Sequence, residues 1–203
     1  MKTINKLLTL IIIFSSLFSL QSQNKFSKRK IENLKEEVSQ LVEDDKKMTQ
    51  VMIDKVFSFG ELGFQEFETS KYLGKILEEN GFDVEYQISD IPTSWLATWS
   101  NGEGGPTIAL GSDFDGVPST SQYPGVAYEK PVVEGAPGHG EGHNIGLPIV
   151  ITSAIAIKKI MIENNINGKL VLWPGVAEEI LGAKAWYVRD GYFNNVDMCI
   201  FTH

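Results

Sequence analysis

The stretch KLVLWPGVAEEILGAKAWYVRDGYFNNVDMCIFTH, residues 169–203, decides the fold. KLVLWP (169–174) reads as a buried strand, AEEILGAKAWYVRDG (177–191) as a helix and VDMCIFTH (196–203) as a second strand. A strand, a crossover helix and another strand imply a parallel pair joined by a right-handed crossover. Upstream, the apolar stretch 146–164 predicts a helix, and TIALGSDFDGVP predicts a buried strand running into a turn. The chain is therefore expected to be α/β, with a sheet largely parallel in this half.

Farther toward the N-terminus the pattern changes. FDVEYQI and SWLATWS alternate apolar and polar residues, as half-buried strands do, with Ile91-Pro92 in the turn between them. Residues 68–80 predict a helix stopped by Gly81, and residues 26–60 predict one long helix ended by Gly60 and Gly63. The stretch from Pro118 to Pro137 is a long loop rich in Ser, Pro, Gly and Tyr, and such loops are usually functional or disordered.

Residues 1–23, MKTINKLLTLIIIFSSLFSLQSQ, place Lys2 and Lys6 before an apolar run from Leu7 to Leu20. That pattern predicts a secretory signal and an exported protein, periplasmic or extracellular, with residues 24–203 as the mature chain. A membrane-anchoring helix is the other reading. No cysteine follows the run, so a lipid anchor has no support. The 203-residue chain has a net charge of −8, which becomes −10 without that segment and its two lysines. An acidic surface argues against nucleic acid and anionic membranes as partners. The one cysteine, Cys199, allows no internal disulfide and reads as a small core residue in its strand.

Metal-capable residues gather where strands end, which is where open α/β sheets bind ligands. Asp113 and Asp115 follow TIALG, Glu178 and Glu179 follow LVLWPGVA, and His203 ends DMCIFT. Between them, GHGEGHN carries His139, Glu141 and His143, two of the three histidines in the chain. Gly138, Gly140 and Gly142 disfavour a helix there, each by about 1 kcal/mol relative to alanine, and a loop lets Glu141 and His143 face one site. Imidazole with carboxylate suits zinc, or manganese and cobalt. The bland reading is a surface loop without a ligand. Asp113 and Asp115 face one side of extended chain, and the alternative for them is turn chemistry. Glu178 and Glu179 are expected to start a helix, where acids are favoured electrostatically in any case. Neighbours on a helix point apart, which suits one glutamate to hold metal and the other to accept a proton from water.

Four blocks in order resemble the M20 metallopeptidase and amidohydrolase family: FGELGFQEFETSKYLGKILEENGF, GSDFDGVP, GHGEGHN and GVAEEILGAKAWYVRDGYFNNVDMCIFTH. The resemblance is greatest to the aminobenzoyl-glutamate hydrolase branch, and it spans roughly residues 57 to 203. It implies a phosphorylase/hydrolase-like, zinc-exopeptidase catalytic domain: a mixed sheet flanked by helices, holding two divalent ions, with zinc the first expectation and manganese or cobalt the alternatives. It further implies Glu179, His143 and His203 as metal ligands, Glu178 as general base, and Asp115 as the family's aspartate after the second strand. Glu141 stands where this branch has a metal-binding cysteine, and Val176 where it has a proline. A small-molecule amide or peptide substrate follows from the resemblance, as does a homodimeric full-length form. The family's lid or dimerisation domain, and the catalytic-domain sequence beyond it, are not in this chain. The expectation is the N-terminal part of a metal-dependent hydrolase, inactive alone. The competing readings are a non-catalytic relic or metal-binding module of the same fold, and an α/β domain with no metal.

Overall fold

The computed structural model describes residues 26–203. The signal segment expected at 1–23 lies outside the described residues. The chain divides at Glu36 into two units, and the second, Glu37–His203, carries the sheet.

Three helices come first: α1 (Lys28–Asp44), α2 (Lys46–Phe59) and α3 (Phe67–Glu79). The single helix expected over 26–60 is thus two. Its apolar stripe runs through Leu41, Met48, Met52 and Val56, and the position between Leu41 and Met48 is Asp45. Asp45 leaves helical geometry, with φ −88° and ψ 5°. A carboxylate placed on the inward stripe interrupts the burial that would have continued the helix.

The sheet has five strands in the order β1-β2-β4-β3-β5. They are β1 (Asp83–Tyr86), β2 (Trp95–Asn101), β3 (Thr107–Asp113), β4 (Gly168–Gly175) and β5 (Met198–Thr202). β1 pairs with β2, and β2 with β4, antiparallel, whereas β3 runs parallel to both β4 and β5. The sheet is mixed, and the half read from residues 169–203 is the parallel half. β5 is an edge strand with Met198 and Ile200 exposed. Cys199 is exposed there too, not the core residue expected, because it lies on the outermost strand of the sheet.

Helix α4 (His143–Glu163) follows the long loop. It is long and apolar enough to cross a membrane, yet it packs on β3 and α2 with Leu147, Ile151 and Ala154 fully buried. It starts three residues earlier than expected. Gly142 precedes it with φ 89°, a left-handed conformation that glycine adopts without strain, so the loop turns sharply and His143 becomes the first helical residue. The last helix, α5, covers only Lys184–Arg189. Glu178 and Glu179 therefore do not start a long helix. They sit in a separate 3-10 turn, Glu178–Ile180, bounded by left-handed Ala177 (φ 54°) and Leu181 (φ 60°).

Candidate metal centre

Parallel pairing brings three strand ends together. Asp113 is opposite Gly175 across β3 and β4, and Ser112 is opposite Thr202 across β3 and β5. Asp115, the Glu178–Glu179 turn and His203 therefore leave the sheet at one edge, where the start of α4 adds His143.

Asp115 organises these groups. Its backbone carbonyl lies 3.0 Å from His143 Nδ1, and its Oδ1 lies 3.4 Å from the same nitrogen. A carbonyl only accepts, so Nδ1 carries the proton and Nε2 is left with its lone pair when the ring is neutral. Asp115 Oδ2 also accepts the Glu179 backbone N–H at 3.1 Å. One buried residue thus orients a histidine through its backbone carbonyl and ties down the glutamate turn through its carboxylate, as the supports of metal ligands do.

Beyond His143 Nε2 the donors converge. His203 Nε2 is 3.3 Å away, Glu141 Oε2 is 3.8 Å away, and His203 Nε2 to Glu141 Oε2 is also 3.8 Å. Glu179 Oε1 stands 3.9 Å from His143 Nδ1. Two sets of metal-capable residues have donor atoms within 4.8 Å of one another: Glu141, His143, Glu178 and Glu179, and Asp113, His143, Glu178 and His203. Nitrogen or oxygen donors at about 2.0–2.1 Å from a tetrahedral zinc stand about 3.4 Å apart. The His143–His203 separation matches that edge, and the two distances to Glu141 are slightly wider.

The charge balance also suits a cation. The Glu179 carboxyl is held above its usual range, first by burial and then by the charge of Glu141. Glu179 Oε1 and Asp115 Oδ1 are buried without a hydrogen bond among the described residues. Burial pushes His143 down, but the hydrogen bonds of Asp115 and the charges of Asp113 and Asp115 outweigh it and raise the ring to about 9. His143 is buried, whereas the side chains of Glu141 and His203 are about half exposed, so the centre opens to solvent on their side.

His139 does not join it. Its Nε2 is 3.1 Å from the Val56 carbonyl, it packs near Phe57, and burial lowers it to about 4. The two histidines of HGEGH thus part company, one to the centre and one to the core beside α2. Asp113 and Asp115 also separate: both carboxylate oxygens of Asp113 face Lys184 Nζ, at 2.9 and 3.1 Å.

Two residues that shape the centre carry no obvious mark in the sequence. Glu66, fully buried, accepts the Ala177 N–H at 2.9 Å and the Thr93 hydroxyl at 2.8 Å. It thereby holds Ala177, the left-handed residue from which the glutamate turn springs. The one available signal is an acid set between Phe64 and Phe67 in GFQEF, since a carboxylate buried among apolar neighbours needs partners. Lys184 is the other. The long loop is tied by Ser121 N–H to the Ala136 carbonyl at 3.0 Å and Tyr123 N–H to the Lys130 carbonyl at 2.8 Å. It walls a cleft of about 630 Å³ lined by Phe57, Tyr123, Pro124, Val126 and Asn144, the last being the neighbour of His143.

No family model matches the chain. Curated relatives do. The chain is 31% identical over 166 residues to one of the subunits of the p-aminobenzoyl-glutamate hydrolase of Escherichia coli, covering 82% of this chain and 34% of that protein. It is 32% identical over 139 residues to hippurate hydrolase of Campylobacter jejuni, covering 68% and 33%. Among solved structures, a Bacillus subtilis protein described as a dinuclear metal binding peptidase from the M20 family superposes with a TM-score of 0.64 at 24% identity, covering 78% of this chain and 44% of that one. The chain spans about a third of the length of the curated relatives it matches. It is homologous to these amidohydrolases and has the fold of M20 peptidase catalytic domains over about four-fifths of its length.

Proposed function

We propose that this chain is the N-terminal part of the catalytic domain of an exported, metal-dependent amidohydrolase. Its substrate would be a small amide or peptide: an N-acyl amino acid, a dipeptide or an aminobenzoyl-glutamate. The observation that carries this reading is the triangle of His143 Nε2, His203 Nε2 and Glu141 Oε2, with sides of 3.3, 3.8 and 3.8 Å.

Glu141, His143, Glu179 and His203 would hold the metal, with Asp115 orienting His143. A mixed nitrogen and oxygen donor set fits zinc, and its carboxylate share also admits manganese or cobalt. When bound, such an ion supplies polarisation of the amide carbonyl and a water acidic enough to react near neutral pH. Glu178 takes the proton that this water loses as its oxygen bonds to the carbonyl carbon. The C–N bond then breaks, and Glu178 returns the proton to the leaving amine. The cleft beside Asn144, with Phe57, Tyr123 and Pro124 on its walls, has room and apolar surface for the acyl side of such a substrate. Export is proposed from residues 1–23, and a homodimer from the family resemblance; the Escherichia coli relative is itself a hydrolase subunit.

The test is hydrolysis of N-acyl amino acids, dipeptides and aminobenzoyl-glutamate by protein expressed from the complete reading frame. Turnover that chelation abolishes and zinc, manganese or cobalt restores is expected. Turnover indifferent to chelation overturns the reading.

A further inference from the structure

Lys184 opens α5 and reaches back beneath the donor groups. Its ammonium lies 2.9 Å from Asp113 Oδ1 and 3.1 Å from Oδ2, so one cation spans both oxygens of a fully buried carboxylate. The same Nζ is 4.4 Å from the centroid of the Phe201 ring on β5, within cation–π range. Gly175 on β4 leaves the space for this pair: a Cβ there would stand 1.8 Å from Asp113 Oδ1 and 2.9 Å from Lys184 Cε. Residues of β3, β4, β5 and α5 thus form a socket fitted to a single ion pair. Yet Asp113 also has a donor atom within 4.8 Å of donors on His143, Glu178 and His203. A metal held by those donors would compete with the Lys184 ammonium for this carboxylate.

We propose that Lys184 is a positioning residue that withholds Asp113 from the metal, leaving the ion to Glu141, His143, Glu179 and His203. The inference rests on the metal-centre reading above. The neutralised pair adds no net charge beneath the ion. Without Lys184, the freed carboxylate turns to the ion, and both the new ligand and the lost positive charge tighten binding.

The experiment is calorimetric titration of the folded chain with zinc and with manganese at pH 8. Lys184→Met is expected to bind at least about tenfold more tightly than wild type, the scale of one unit charge removed from nearby at an effective dielectric near 20. Lys184→Arg keeps the wild-type affinity. The double variant Lys184→Met with Asp113→Asn removes a neutral pair with little change of shape, and it returns to within about threefold of wild type, because Asp113 is not a ligand while paired. A merely structural pair would lower the melting temperature of these variants and leave the visible absorption of bound cobalt as in wild type, whereas recruitment of Asp113 in Lys184→Met changes that spectrum. Equal or weaker binding by folded Lys184→Met overturns the inference, and so does a loss of more than about tenfold in the double variant. Should Lys184→Met not fold, the double variant decides. Wild-type chain that binds neither metal overturns the metal reading and this inference together, whereas a binding wild type with an indifferent Lys184→Met overturns this inference alone.

Discussion

His143 Nε2 and His203 Nε2 stand 3.3 Å apart across 60 positions of sequence. One starts a helix and the other follows an edge strand. The contact exists only because β3 pairs in parallel with β5 and α4 lies against β3. Two imidazoles so close, with Glu141 completing the triangle, make metal binding a competition with protons.

That competition has a direction. His143 is raised to about 9, so below that pH the metal-free ring carries a proton which must leave when Nε2 becomes a ligand. Apparent affinity should therefore rise with pH, by about tenfold per unit for one linked proton, and level off near 9. Titration in two buffers of different ionisation enthalpy measures the released proton directly. Binding that is flat between pH 6.5 and 8.5 would contradict the assignment of His143.

Glu141→Ala should reduce metal affinity by at least about tenfold, since it removes a donor rather than a support. Metal content after gel filtration, read by mass spectrometry, is the measure. Equal content in wild type and variant would remove Glu141 from the shell.

The adjacent glutamates should divide cleanly. Glu178→Gln is expected to keep its metal and lose turnover by about 10²–10⁴-fold, because an amide oxygen does not take up the proton. Glu179→Gln should lose metal instead. Full turnover by metal-loaded Glu178→Gln, in protein from the complete reading frame, would reject Glu178 as the base.

His139 sets a different pH dependence, on stability. Burial holds it neutral down to about 4, whereas the unfolded ring titrates near 6.5. The unfolded chain thus binds the extra proton between those values. Its contribution is complete above about 6.5 and declines as pH falls toward 4, by about 3 kcal/mol in all. Urea unfolding of His139→Gln, whose amide can still donate to the Val56 carbonyl, should show a shallower loss between pH 6.5 and 4.5 than wild type.

Glu66→Ala should destabilise the fold by about 2–3 kcal/mol, because the Ala177 N–H and the Thr93 hydroxyl lose a buried partner. Its metal affinity should fall as well, since the glutamate turn loses its anchor. Chemical denaturation and metal titration on the same preparation separate the two effects.

The strands, the parallel half of the sheet, the glycine loop that carries Glu141 and His143, and the place of the two glutamates and His203 at strand ends were legible in the sequence because periodicity and turn residues mark them locally. The breaks in the helices were not. Asp45 divides α1 from α2 without glycine or proline, and only its position on the inward stripe betrays it. AEEILGAKAWYVRDG has helical spacing throughout, but Ala177, Leu181 and Ala183 take positive φ, which divides it into a 3-10 turn and a short helix. The tertiary contacts that hold the turn, Glu66 to the Ala177 N–H and Asp115 to the Glu179 N–H, leave no trace in local spacing. His139 was grouped with Glu141 and His143 by their shared glycine loop, but Gly142 turns the chain before His143, and the His139 ring bonds the Val56 carbonyl instead.

The strand order carries a cost that appears only while the chain is being made. β4 lies between β2 and β3, yet both of these are synthesised before it, and residues 114–167 separate β3 from β4. At about 5–20 residues per second, that interval lasts roughly 3–10 s, during which the apolar strands SWLATWS and TIALG have no partner for the edges that β4 will fill. Such edges are templates for association with other chains. The nascent chain therefore has a defined window of vulnerability, which begins to close when β4 starts at Gly168, and chaperone capture should concentrate within it.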